Sequence, residues 1–209
     1  MRFAKRLAAE LQQPEFAEHY IPYKALKKLI KRALIQEGAA ELEALHAISV
    51  EFVNLLEQHV QDVHTFFEGR LAALSLRTSA ARTSVEKSFP KHNSGLPLTS
   101  KSSERPVPVA LDERTIDELV ALDADLAALG QFAMVNREAV RKISKKIIKN
   151  VATFAFVERL AAILEGFRPV HSHSQFAQDV QDVASLISQV RMHSAEVSLA
   201  AAPSLAPLA

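Results

Sequence analysis

Two clusters of side chains in this 209-residue chain have the types and the spacing to hold an anion. The first lies in Tyr20-Ile-Pro-Tyr-Lys-Ala-Leu-Lys-Lys-Leu-Ile-Lys-Arg32. On a helix Tyr23, Lys27 and Lys31 recur at i, i+4 and i+8, which puts a phenol hydroxyl and two ammonium groups on one stripe. Lys24, Lys28 and Arg32 widen the positive surface, and no Asp or Glu interrupts it. The second is Asn136-Arg-Glu-Ala-Val-Arg-Lys-Ile-Ser-Lys-Lys-Ile-Ile-Lys149. There Lys142, Lys145, Lys146 and Lys149 fall at i, i+3, i+4 and i+7, within about 100° of helical arc. Like charges so placed destabilise a helix by about 0.2–0.5 kcal/mol per pair. Alone, each cluster reads equally as a solvated face, and for the second a helix C-terminus recovers about 0.3–1 kcal/mol. Brought together, they form a positive pocket of six or more side chains. Lysine is a compact donor that suits phosphates approached from several directions. The ligand so described is small, carries many phosphates and is not flat.

Other chemistry is poorly served. There is no GxGxxG, P-loop, GxSxG or HExxH pattern. Without cysteine there is no disulfide, thiolate nucleophile or Cys-ligated zinc. His171-Ser-His173 reads as an ordinary loop pair, and His46, His59 and His64 lack zinc spacing. Glu41/Glu43 and Asp123/Asp125 stand at i,i+2 and face different sides of a helix, so neither is an acid–base pair. The chain is therefore expected to be a binding protein, not an enzyme, with no cofactor and no metal. Net charge is only +1, yet residues 1–32 hold eight Lys/Arg against Glu10, Glu15 and Glu18, while residues 33–69 hold seven Asp/Glu and no Lys or Arg. Such segregation favours a focused patch, and direct nucleic-acid binding is not expected. No apolar run approaches the roughly 18 residues of a membrane span, and no signal peptide is evident. The expected location is the cytosol, a membrane protein's cytosolic face, or the nucleus.

The elements that must position these clusters are helical. Phe3, Leu7 and Leu11 mark a short helix over 2–12, ended by Pro14. In the next helix Pro22 fits the first turn, Ile21, Leu26, Leu29, Ile30 and Ala33 form the buried face, and Gly38 is the expected stop. Together the two make a hairpin. From Glu41 to about Arg77, Leu45, Ile48, Phe52, Leu55, Leu56, Val60, Val63, Phe67, Leu71 and Leu74 follow helical spacing, with Gly69 marking a bend. Residues 78–110 mix serine and proline without periodicity and read as a flexible connection. Over 113–149 the seam Leu119, Leu122, Leu126, Leu129, Ala133, Asn136, Val140, Ile143, Ile147 steps 3-4 throughout. Asn136 on it is either a buried polar pin or a local break. Residues 151–165, apolar nearly all round, predict a short packed helix closed by Gly166 and Pro169. A last helix begins near Ser174 and runs through Phe176, Val180, Val183, Ile187, Val190 and Met192. The fold class is all-α: an N-terminal helical hairpin packed on two long antiparallel helices, with short C-terminal helices. The domain is expected over 1–170, the last helix over 171–198 and a disordered tail over 199–209.

At these motifs the sequence resembles the SPX domain family. Met1-Arg-Phe3, the segment Tyr20–Lys31 and the segment Asn136–Lys149 carry the resemblance, across roughly residues 1–170. It implies binding of inositol polyphosphates, inositol hexakisphosphate (InsP6) and above all inositol pyrophosphates, and a role in phosphate sensing. It also implies a protein partner or fused domain regulated by that ligand, whose identity the sequence does not carry. By position, Tyr23 and Lys27 resemble two residues of the family's phosphate cluster, with the third from Lys145 or Lys146. Lys142, Lys146 and Lys149 resemble the adjoining lysine surface, with Lys31, Lys28 and Arg2 as accessory contacts; Arg2 stands where lysine is usual. The chain departs from the family at Ala139, Val140, Ser144 and Ile148, none of them a phosphate ligand. The competing expectation is a helical scaffold whose seam pairs with a partner's helices and whose basic ends touch acidic protein, anionic lipid or RNA.

Overall fold

Six helices are present among the residues that the computed structural model describes, namely 14–34, 41–89, 113–151, 154–166 and 173–200. They are α1 (Pro14–Ala17), α2 (Tyr23–Ala33), α3 (Glu41–Ser88), α4 (Glu113–Val151), α5 (Phe154–Gly166) and α6 (Ser174–Ala200), with no strand among the described residues. The protein is all-α, as the periodicities require. The expected helix over 2–12, the stop at Gly38, most of the connection and the tail after Ala200 lie outside the described residues. Pro14 opens α1, where its missing N–H costs nothing.

The chain forms two compact units, Met1–Ala72 with Ala127–Phe176, and Ala73–Leu126 with Ala177–Ala209. In the first, Pro22 shapes the entry to α2. Tyr23 N–H donates to the Ile21 carbonyl at 2.7 Å, across Pro22 at φ −75° and ψ 63°. This is an inverse γ-turn, whose positive ψ keeps the proline out of helical backbone. Pro22 is therefore the cap, one residue before the position expected for it. Leu26, Leu29, Ile30 and Ala33 are buried, as is Ile21. Ahead of α2 an aromatic cluster fills the core: Phe16, Tyr20 and Phe66 each pack on Phe132 with ring centroids 5.1–5.3 Å apart. A Cβ added at Gly130 would meet Phe176 Cζ at 3.2 Å, so the glycine lets that buried ring sit against α4.

Helix α5 differs from its expected all-round apolar packing. Leu160 and Ile163 are buried, whereas Ala161 and Ala162 face solvent. Alanine is apolar enough to suggest burial and small enough to tolerate water. Arg159 on the exposed side donates to Glu57 at 2.7 Å and Asn54 at 3.0 Å.

The second unit gathers the C-terminal part of α3, the start of α4 and α6. Helix α3 continues to Ser88, well past Arg77, so residues 78–88 are helix and not connection. Ser79, Thr83 and Ser88 each donate the hydroxyl to the carbonyl four residues earlier, while Ala81 and Val85 are buried. On α6 the buried stripe is Phe176, Asp179, Val183, Leu186 and Val190. Val180 and Met192, expected inside, are exposed. The rotation follows from Asp179, whose carboxylate accepts the Ser75 hydroxyl in the core; hydrophobic periodicity has no mark for such a residue. Arg77 binds Glu118 at 2.8 Å and Asp125 at 2.5 Å, and both hydrogen bonds push its guanidinium pKa up.

Candidate anion-binding site

Helix α4 positions the site, and Asn136 aligns its neighbour. Every residue of the seam from Leu119 to Ile147 is buried, which turns the opposite face of the helix outward. Asn136, fully buried, accepts the Ile21 N–H at 2.8 Å through Oδ1 and donates through Nδ2 to the Phe132 carbonyl at 3.1 Å. It is thus a polar pin, holding the entry to α2 against α4. At the other end of α2, Lys31 and Leu34 line a cleft with Arg141, Lys142, Lys145, Lys146 and Lys149. The two anchor points make α2 run alongside α4 in the same direction.

The cleft has a volume of about 650 Å³, and six of its seven described lining residues are cationic. Both basic clusters therefore contribute to one concave surface, through Lys31 and through Lys142, Lys145, Lys146 and Lys149. Tyr23 and Lys27, both half-buried on α2, are not among the described residues lining the cleft. They continue the Lys31 stripe about 12 Å and 6 Å further along the axis. Lys28 is exposed on α2 and away from the lining. Arg2 lies outside the described residues.

Sequence reasoning passed over three residues here. Arg141 and Leu34 line the cleft, and Glu138 sits one turn before it. Arg141 donates to both oxygens of Glu138, at 2.7 and 2.8 Å, and Lys142 Nζ lies 3.3 Å from one of them. The Arg141 hydrogen bond lowers the Glu138 pKa to about 2, so the carboxylate is ionised at any physiological pH. The i,i+3 and i,i+4 spacing of Glu138 to Arg141 and Lys142 was the available signal. His173, by contrast, serves structure, its Nε2 lying 3.1 Å from Glu68 Oε1. Among the described residues no helix is long and apolar enough to cross a membrane, and no group of three His, Asp or Glu is placed to hold a metal.

What such a cleft can do is bind a compact, highly charged anion through several ammonium groups and a guanidinium fork. Comparison with known proteins bears on the type. The SPX domain family model matches residues 1–110. The chain is similar to the SPX domain-containing protein 3 of Oryza sativa subsp. indica, 26% identical over 166 residues, which cover 77% of this chain and 56% of the rice protein. SPX domain-containing protein 5 of the same subspecies is 22% identical over 192 residues, covering 91% of this chain and 67% of that protein. The chain thus spans little more than half to two thirds of these relatives. Among solved structures it is similar to the SPX domain of Chaetomium thermophilum glycerophosphodiester phosphodiesterase 1, determined in complex with InsP6. The TM-score is 0.62 and identity 25%, over 91% of this chain and 99% of the other. With a family match over more than half its length, this chain belongs to the SPX domain family.

Proposed function

We propose that this chain is an inositol polyphosphate-binding module, taking InsP6 and inositol pyrophosphates, which reports phosphate status to a regulated partner or fused domain. The observation that carries the reading is the convergence of Lys31 with Lys142, Lys145, Lys146 and Lys149 on one cleft. The InsP6 held by the similar fungal domain supports the same ligand class.

The alignment of α2 with α4 supports the rest of the site. Ile21 meets Asn136 across an offset of 115 residues. Two helices advancing in step at about 1.5 Å per residue keep that offset, which sets Lys31 beside Lys146 and Lys27 beside Lys142. Tyr23 and Lys27 then extend the cleft along α2, and Lys28 and Arg2 are the proposed accessory cations. Binding would remove the repulsion between the two lysine stripes and hold α2 more firmly on α4, a change that a partner can read.

Calorimetric titration at physiological salt with inositol phosphates of rising phosphate number tests the reading. Affinity should climb with phosphate number and fall for Lys146→Ala. A steep salt slope with no preference for inositol phosphates over oligonucleotides of equal charge would instead mark a shape-blind basic surface.

A further inference from the structure

A carboxylate also bonds cations of the cleft. Glu138 engages Arg141 through both its oxygens and touches Lys142 through one. Arg141 and Lys142 are two of the six cations lining the cleft. A planar pair of oxygens on a guanidinium fork is also how a phosphate would engage Arg141. Resting on the inositol-polyphosphate reading, we infer that Glu138 is an internal competitor for the ligand: its carboxylate occupies donors of the cleft that an incoming phosphate must win.

The geometry indicates how the exchange proceeds. The contact to Lys142 is the weaker, a single 3.3 Å approach, and it breaks first. The fork to Arg141 is short and doubly bonded, and it opens only as a phosphate takes its place on the guanidinium. With its pKa held near 2, Glu138 does not neutralise itself to make way. The penalty is therefore constant across physiological pH, and the residue sets affinity without acting as a pH switch. A fixed negative charge beside the phosphate-binding guanidinium, at a partly wet surface, should weaken binding about three- to tenfold.

The experiment titrates InsP6 into the full chain, Glu138→Gln, Lys142→Met and the double variant, with circular dichroism to confirm helix content. Glu138→Ala serves as a second variant should Glu138→Gln fold poorly. The expected result is binding about three- to tenfold tighter for Glu138→Gln, with the gain reduced when Lys142 is already Met. Binding equal to or weaker than that of the unaltered chain would overturn the inference. If neither protein binds InsP6, the inositol-polyphosphate reading fails, and tripolyphosphate takes its place as a phosphate probe without the ring. Tighter tripolyphosphate binding by Glu138→Gln then still supports Glu138 as a competitor, and no gain overturns it.

Discussion

At the scale of single residues, two buried polar side chains on α4 make opposite predictions. Asn136 has its acceptor and donor both used, and the N–H it satisfies belongs to buried Ile21. Asn136→Ala strands that donor, and the expected loss of stability is about 1–3 kcal/mol, read as a lower urea midpoint. Because Asn136 also aligns α2 with the lysines of α4, the same variant should bind InsP6 more weakly. Ser144 is as deeply buried, but its hydroxyl has no hydrogen-bond partner. Ser144→Ala removes a desolvated polar group, and should stabilise the protein by about 1 kcal/mol in the same assay. Glu138 predicts a pH effect. Its folded-state pKa, near 2, lies below the ordinary 4.5, so the stability it contributes is present above pH 4.5 and is lost as pH falls toward 2. Urea midpoints of the unaltered chain and Glu138→Gln should therefore differ at pH 6 and converge in that acid window.

At the scale of elements, the long helices were legible because their seams are regular. All nine positions from Leu119 to Ile147 on α4 are buried, and so are most of those read on α3. What periodicity missed was polar. The end of α3 read as a connection because serine and threonine are poor helix formers; their hydroxyls bonding back to the preceding turn are a three-dimensional fact. The rotation of α6 depends on Asp179 meeting Ser75, residues 104 apart in sequence. The site was legible to the same extent: the lysines announce themselves by charge and spacing, whereas Glu138 looks like any helical ion-pair partner until Arg141 is seen to line the cleft. Two element-scale predictions follow from the observed helix α3. Val85 is almost wholly buried, so Val85→Ala should cost about 2 kcal/mol, whereas in a flexible connection it would cost nothing. Gly69 lies inside continuous helix, and a Cβ there meets nothing within 4 Å. Gly69→Ala should raise stability by about 0.5–1 kcal/mol, measured by denaturant titration.

At the scale of the whole molecule, a chain with a net charge of only +1 concentrates six cations around one cleft. Membership of the SPX domain family and the geometry of that cleft both support the proposed class of ligand. The most direct measurement is a calorimetric titration of InsP6 against the unaltered chain, Lys31→Ala and Lys146→Ala at physiological salt. Lys31 and Lys146 lie on different helices, 115 residues apart, and both line the cleft. The unaltered chain should bind saturably, and each variant should lose about tenfold in affinity, the scale of a lost charge-assisted contact. Equal affinity for all three proteins would contradict the proposed site.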